Sequence, residues 1–312
     1  MQRPKLILSS SGLGAGKKGA EMGPFALQAA CADSNSTFFK DREIEVLTNN
    51  HLLYTRSSKA DAMYLNEIAA FNERTCTAVA QSYKNHKKLV VLSGDHSNAV
   101  GSISGLCLAH PDKKIGVIWI DAHADLHSPY SSPTFNVHGM PLAALCGFDN
   151  KECKSAEKEI APDKAAFWER LKNVGKPGAK LNASDLLFID IRDLEYAEWD
   201  SIYTHGIRHY EPKDRHEKGT KKIISEVEKW MEDFDMIYIS FDVDSLDPSI
   251  SRGTGTPVPD GLSKAQASEL LHAFYHHNKC AMLEITEINP LLDQENKMAK
   301  TVCDILEKSG IA

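Results

Sequence analysis

Seven short runs of β-branched and aliphatic residues, separated by longer amphipathic segments, constrain the fold of this chain more than any other sequence feature. The runs are LILSS, EIEVL, LVVLSG, IGVIWID, LLFIDI, MIYISFDVD and MLEITEIN. They are largely continuous in apolar character, which is typical of strands covered on both faces. Helical periodicity recurs between them, near residues 61–85, 98–109, 220–233, 263–276 and 294–308. The alternation of strands and helices predicts an α/β fold, a three-layer α/β/α sandwich with a mostly parallel sheet.

The same pattern predicts a single domain over residues 1–312. No internal repeat and no Pro/Gly-rich linker divides the sequence. A hydrophobic content of 42% is enough for a sizeable buried core. Residues 147–183 are rich in Lys and Glu and contain NVGKPGAKLNAS, so we expect a surface excursion with one short helix there.

The charge balance argues against nucleic acid as a partner. The chain has 43 acidic and 36 basic residues, a net charge of -7 and no Lys/Arg block. The first residues, MQRPKLILSS, hold an apolar run too short for a secretory signal, and no stretch approaches the ~18 apolar residues of a membrane span. Seven scattered cysteines form no CxxC pair, which disfavours a disulfide framework. We therefore expect a cytoplasmic protein that does not bind membranes.

Three of the predicted strands end in residue types that bind metal ions. LVVLSGDHS supplies Asp95 and His96, VIWIDAHAD supplies Asp121, His123 and Asp125, and YISFDVD supplies Asp242 and Asp244. The C-terminal ends of parallel strands meet at one edge of the sheet, where open α/β folds bind ligands. Alternate residues of an extended chain share a face, so D-x-H-x-D and D-x-D each direct their side chains to one point. Since isolated charge is costly to bury directly after an apolar strand, these clusters predict a shared metal site.

The ligand types indicate which metals fit. Two imidazoles and four carboxylates, with no thiolate, favour Mn²⁺ over a structural zinc, and Co²⁺, Fe²⁺ or Ni²⁺ fit the same ligands. Six side chains suffice for two ions only if some carboxylates bridge, which implies a binuclear cluster with its ions about 3.5–4 Å apart. A water held between them would lose a proton near neutral pH. The predicted ligands are His96, Asp121, His123, Asp125, Asp242 and Asp244.

The segments SGDHS, DAHAD and SFDVDSLDP resemble the three signatures of the ureohydrolase family, which comprises the arginases and agmatinases. GAGKKGAEMGPFAL is similar to the family's glycine-rich entry loop and first helix, and SPTFNVHGMPLAAL resembles the arginase branch through its N-x-H-G-M-P segment. IRDLE, TGTPVPDGLS, LEITEINP and NKMAKTVCDILE follow in the expected order. The resemblance covers nearly the whole chain, with region 147–183 longer and less familiar, and it implies an arginase-like fold.

The resemblance also implies roles for the metal ligands. By this resemblance, Asp121 and Asp242 would bridge both ions. His96 and Asp125 would complete one site, and His123 and Asp244 would complete the other. The implied reaction is hydrolysis of L-arginine to L-ornithine and urea, and the implied assembly is a homo-oligomer, either a trimer or a hexamer.

Three residues carry the implied chemistry. Asp125 would accept the hydroxide's hydrogen bond and pass its proton to the departing amine, and His138 would relay protons to bulk water. Glu287 falls where a carboxylate pairs with the substrate guanidinium. The metal-activated hydroxide is needed because a guanidinium carbon is too poorly electrophilic for neutral water.

The substrate-binding assignments follow from the same resemblance. The positions that bind an amino acid's carboxylate in arginases are occupied here by Ser132, Thr134 and Asn136. Glu195 falls where an acidic residue binds the α-amino group, and Glu198 lies one turn further on. Agmatine has no carboxylate for these donors, so an agmatinase is the less natural interpretation.

Two positions depart from the arginase pattern and keep other substrates open. His127 stands where arginases usually have Asn, and we expect its side chain near the substrate carboxylate; Glu195 stands where they usually have Asp. N-hydroxyarginine, a guanidino acid, agmatine or formiminoglutamate are the alternative substrates. A non-catalytic, metal-binding relative is a further alternative, but such a protein is expected to have lost ligands, and all six are present.

Overall fold

Eight parallel strands form one sheet in residues 3–54, 60–153 and 160–312, which are the residues that the computed structural model describes. The strands are β1 (Lys5–Ser10), β2 (Ile44–Thr48), β3 (Leu89–Ser93), β4 (Ile115–Ile120), β5 (Leu186–Ile189), β6 (Arg208–Tyr210), β7 (Met236–Asp242) and β8 (Cys280–Thr286). Their order across the sheet is β2-β1-β3-β8-β7-β4-β5-β6, and every neighbouring pair is parallel.

Helices cover both faces of this sheet. They are α1 (Gly23–Asp33), α2 (Ala60–Ser82), α3 (Ala99–Ala109), α4 (Pro141–Cys146), α5 (Pro162–Lys172), α6 (Tyr196–His205), α7 (Pro212–Lys218), α8 (Thr220–Met231), α9 (Lys264–His276) and α10 (Lys297–Lys308). On one face α1, α8, α9 and α10 pack in a single apolar cluster. On the other, α3, α4 and α6 pack against the strands, and α2 and α5 lie beside them.

The inner strands are largely apolar because both of their faces are buried. Every residue of β1, β3 and β4 is buried. Leu6 and Leu8 of β1 belong to the cluster on one face, and Ile7 belongs to the cluster on the other. Full burial of each such side chain contributes about 1.5–3 kcal/mol. The predicted α/β sandwich is therefore confirmed, and the sheet is parallel throughout the described residues.

The one strand that the sequence did not predict is β6, which has the sequence RHY and lies at the edge of the sheet. Its first residue is exposed and only its last is buried, so it has no apolar run. All seven predicted strands are present. The short helices α4, α6 and α7 were also not predicted, because six to ten residues hold too little periodicity to recognise.

The segment 147–183 contains one α-helix in its described part, α5. Phe167, Trp168 and Leu171 of this helix are buried and pack in the same cluster as Leu65 and Ile68 of α2. The segment therefore adds to the core, which a purely superficial excursion would not do. Residues 154–159 of it lie outside the described residues, and the single-domain organisation stays a prediction. Among the described residues, no helix combines the length and the apolar character needed to cross a membrane.

The direction of the chain across the sheet reverses at β4. β5 and β6 follow on one side of it, whereas β7 and β8 lie on the other. Ligands of open α/β sheets bind outside the C-terminal ends of the strands at such a reversal. The loops after β3, β4, β5 and β7 meet there.

Candidate functional site

A cleft opens at the C-terminal ends of the central strands. All the sequence-predicted site residues line it except Asp121 and Glu287, which are buried behind it. The fold thus brings together residues that come from positions 96 to 287 of the chain.

The first histidine–carboxylate cluster surrounds one ring nitrogen of His96. Its Nδ1 lies 3.2 Å from Asp121 Oδ2, 3.0 Å from Asp125 Oδ2 and 3.0 Å from Asp242 Oδ2. Although both are buried, His96 Nδ1 and Asp121 Oδ2 make no hydrogen bond within the described residues. Buried polar atoms normally have a partner, so atoms that converge without one fit a cation between them.

The second cluster shares Asp121 with the first. His123 Nδ1 lies 3.4 Å from Asp121 Oδ1 and 3.0 Å from Asp244 Oδ2. His96, Asp121 and Asp242 form one group of potential ligand atoms, and Asp121, His123 and Asp244 form the other. Asp121 therefore offers one carboxylate oxygen to each group, as a bridging ligand would. The contact of Asp242 with a histidine lies in the first group, and its predicted bridging role stays a prediction.

Neighbouring side chains fix the orientation of His96. Its Nε2 lies 2.7 Å from Ser240 Oγ, and its ring stacks on Trp119 at a centroid distance of 4.0 Å. A hydrogen bond at Nε2 leaves the lone pair of Nδ1 free to bind a metal. The carboxylates are held similarly, since Asp242 Oδ1 accepts a hydrogen bond from Asp244 N and Asp244 Oδ2 accepts one from Thr256 Oγ1.

The charges of the site also suit a bound cation. Burial, together with the nearby carboxylates of Asp244 and Asp121, raises the pKa of Asp242 well above its usual value. The four aspartates have only two histidines beside them in the two clusters, so the uncompensated charge is negative. Divalent cations would remove this repulsion, and the residues therefore fit a metal centre.

Two non-glycine residues of the site have left-handed backbone conformations. Asp125 has a φ of 51° and Glu287 has a φ of 65°. Such conformations cost about 1–3 kcal/mol each and persist only where the surrounding structure imposes them. They direct both carboxylates into the region of the clusters, and strain of this kind is typical of functional sites.

Glu287 links the first cluster to His138. Its Oε1 lies 3.0 Å from His138 Nδ1 and accepts a hydrogen bond of 2.9 Å from the backbone N of His96. Burial alone would lower the pKa of His138, but the Glu287 carboxylate raises it to about 9. His138 lines the cleft, where its ring can exchange a proton with a ligand or with water.

The glycine-rich segment near the start forms part of the support of this site. Gly14 N donates a hydrogen bond of 2.7 Å to Asp95 Oδ2. A Cβ on Gly14 would lie 2.5 Å from Ser97 Oγ, and one on Gly16 would lie 2.6 Å from Asn136 Nδ2. At both positions the backbone lies so close to a neighbouring side chain that glycine, which has no Cβ, fits best.

One side of the cleft presents hydroxyl donors. Ser132 Oγ accepts a hydrogen bond from Phe135 N, and Thr134 Oγ1 accepts one from Asn136 N. Within the described residues neither hydroxyl donates a hydrogen bond, so both hydrogens are available to an anionic group of a ligand. Asn136 lines the cleft beside them.

The other side of the cleft is acidic. His127 Nε2 lies 2.5 Å from Glu195 Oε2 and 3.4 Å from Glu198 Oε2, and its Nδ1 lies 3.2 Å from Ser131 Oγ. Burial opposes protonation of His127, but Glu198 and Glu195 raise its pKa to about 9. Both ring nitrogens thus have protein partners.

Sequence reasoning missed several residues that contact the predicted ones. Asp193 lines the cleft, and its Oδ2 lies 3.8 Å from His123 Nε2. Asp193 stands two residues before Glu195, and Ser240 stands two residues before Asp242 on β7. Because alternate residues of an extended chain share a face, both could have been predicted to lie on the same side as the site residue that follows. Arg192 Nη2 donates to the backbone O of Asp244, a contact between separate loops for which the sequence holds no signal.

Comparison with known proteins identifies the family. The model of the arginase family matches residues 8–310. An arginase of Brevibacillus brevis is 31% identical over 94% of this chain and 93% of its own length. The crystal structure of Bacillus subtilis arginase superposes with a TM-score of 0.79 at 28% identity, covering 98% of this chain and 97% of that one. That of Entamoeba histolytica arginase, solved in complex with L-ornithine, gives 0.80 at 27% identity, covering 99% of both chains. This chain belongs to the arginase family.

Proposed function

We propose that this protein is a binuclear metal hydrolase that cleaves the guanidino group of L-arginine to give L-ornithine and urea. The observation that carries the proposal is Asp121, whose two carboxylate oxygens face two separate histidine–carboxylate clusters. The arginase relatives support the choice of substrate, and one of them was solved with L-ornithine, the expected product.

The proposed cofactor is a pair of Mn²⁺ ions, with Co²⁺, Fe²⁺ or Ni²⁺ as compatible replacements. When bound, such ions supply the nucleophile, because they lower the pKa of a water to about 7. The nitrogen and oxygen donors and the absence of thiolates around the two clusters support this choice over a structural zinc. The ligands we propose are His96, Asp121, Asp125 and Asp242 for one ion and His123, Asp121, Asp242 and Asp244 for the other.

The residues of the chain hold the substrate and move its protons. We propose that Asp125 passes a proton to the departing amine, since its carboxylate reaches the first cluster and also lines the cleft. His138 exchanges protons with water, and its hydrogen bond to Glu287 keeps the ring oriented. Glu287 contributes negative charge near the cationic guanidinium.

The two sides of the cleft fit the two charged groups of an α-amino acid. The hydroxyls of Ser132 and Thr134 and the amide of Asn136 would bind the carboxylate, while Glu195, supported by Glu198, would bind the ammonium group. Agmatine has no carboxylate, so these donors would be left unpaired beside it.

A substrate panel tests the proposal. With Mn²⁺ present, we expect urea release from L-arginine with a kcat/KM at least about tenfold above that for agmatine, since a hydrogen bond to a charged group such as the substrate carboxylate contributes about 1.5–3 kcal/mol. N-hydroxyarginine, a guanidino acid and formiminoglutamate complete the panel, with formamide measured for the last. Faster hydrolysis of agmatine would exclude arginine as the main substrate. Metal binding without turnover of any compound would favour the non-catalytic alternative.

We also propose a single domain over residues 1–312, a cytoplasmic location and a homo-oligomer, a trimer or a hexamer. The family match over residues 8–310 supports the single domain. Large exposed side chains, including Tyr196 at 75% and Tyr203 at 67% exposure, support an interface on α6.

A further inference from the structure

We propose that His127 and Glu195 act as one unit, in which His127 positions Glu195 for the ammonium group of the substrate and does not itself contact the substrate carboxylate. The inference rests on the proposed hydrolysis of L-arginine and names the residue that sets its amino-group specificity. It revises our expectation from the sequence, in which the side chain of His127 lies near the substrate carboxylate.

The ring of His127 has no free nitrogen. Nε2 lies within reach of both glutamates, at 2.5 Å from Glu195 and 3.4 Å from Glu198, while Nδ1 faces Ser131 Oγ at 3.2 Å. The residue is 6% exposed. A contact with the substrate carboxylate would require the ring to give up a hydrogen bond that it already makes. The His127 ring therefore belongs to the acidic side of the cleft.

The two glutamates differ in their exposure to the cleft. The Glu198 side chain is 3% exposed, and its oxygens accept hydrogen bonds from Glu195 N and Leu126 N. The Glu195 side chain is 60% exposed, so it is the carboxylate that reaches a ligand. Glu198 therefore anchors the start of α6 and the ring of His127, and Glu195 faces the cleft.

The contact with His127 limits the conformational freedom of the Glu195 side chain. An exposed glutamate side chain samples several rotamers, and binding a ligand to it requires one of them to be selected. The short contact with His127 selects a rotamer of Glu195 before the ligand arrives. Since the described lining of the cleft contains acidic residues and histidines but neither Lys nor Arg, this preorganised carboxylate favours a cationic group. The acidic side of the cleft thus favours guanidino compounds that carry an ammonium group, and the hydroxyl donors of the other side favour those that carry a carboxylate as well.

Three substitutions of His127 separate positioning from direct contact. The amide nitrogen of Gln stands close to the position of Nε2, whereas that of Asn stands close to Nδ1. We therefore expect His127→Gln to stay within about threefold of the wild-type KM for L-arginine, and His127→Asn and His127→Ala to raise it about tenfold or more. The change in kcat should be smaller, because the contact is made equally in the ground and transition states.

A second substrate supplies the decisive readout. 5-Guanidinopentanoate is L-arginine without its α-amino group, and we expect its KM to change less than about twofold in all three variants. Glu195→Gln, at an exposed position, should reproduce the loss of His127→Ala for L-arginine, and the double variant should be no worse than either single one. Glu217→Gln, an exposed glutamate on α7, is the matched control and should leave both substrates unchanged.

Each outcome decides the inference. Equal KM increases for both substrates in His127→Ala, with activity kept in His127→Asn, would show contact with the carboxylate and overturn it. Additive losses in the double variant would overturn the coupling of the two residues. If the folded, metal-loaded wild type hydrolyses 5-guanidinopentanoate but not L-arginine, the proposed function fails as well.

Discussion

Asp242→Asn is expected to lower the bound metal to one ion or fewer per chain and to reduce urea release from L-arginine at least about a hundredfold. Removing one partner of a buried charged group costs about 3–5 kcal/mol, and about 1.4 kcal/mol corresponds to a factor of ten. The amide keeps an oxygen that can accept the hydrogen bond from Asp244 N, so the loss concerns charge and not the local backbone. Metal analysis by plasma mass spectrometry and a urea assay measure the two effects.

The fold of the metal-free variant serves as the internal control for Asp242→Asn. We expect its unfolding midpoint to stay within about 2 °C of the metal-free wild type, the shift expected for roughly 1 kcal/mol in a chain of this size. Asp304→Asn, at a half-exposed carboxylate on α10, should change neither metal content nor activity. An unchanged content of two ions in Asp242→Asn would contradict a bridging role.

Glu287→Gln is expected to lower kcat/KM for L-arginine roughly 10- to 150-fold while both ions remain bound. The change removes a charge-assisted interaction of about 1.5–3 kcal/mol but no proposed ligand. It leaves an oxygen that can accept the hydrogen bond from the backbone N of His96. Steady-state kinetics and metal analysis on the same preparation separate the two effects, and loss of metal would mean that Glu287 supports the cluster itself.

The pH profile gives Glu287→Gln a second readout. The Glu287 carboxylate raises the pKa of His138, so the variant should lower that pKa. Activity that needs the protonated ring is present below the pKa of His138 and is lost as the pH rises through it. The high-pH limb of the kcat profile should therefore move to lower pH in the variant, and an unmoved limb would argue that His138 does not limit turnover.

The layout of the fold was predictable because its causes are local. Continuous apolar runs such as IGVIWID can be buried on both faces only in a sheet between helices. The parallel order then brings the ends of β3, β4 and β7 to one edge, so the convergence of His96, Asp121 and Asp242 followed from strand ends alone. β6 escaped prediction because its pairing at the sheet edge depends on its neighbour β5 and not on its own polar sequence.

The contacts between separate loops could not be predicted in the same way. The approach of His127 to Glu195 depends on how the loops after β4 and β5 pack, a property of the whole fold. Trp119 against His96 is a further example, because an apolar residue inside a strand gives no sign of the ring that stacks on it. The resemblance to arginases indicated the substrate side of the cleft but not the internal partner of His127.

Metal titration of the metal-free wild type tests the central claim most directly. After prolonged chelation the protein should release no urea from L-arginine, and activity should return as Mn²⁺ is added, reaching its maximum at two equivalents per chain, because the nucleophile needs both ions. Full turnover by protein verified to be free of metal would contradict the account.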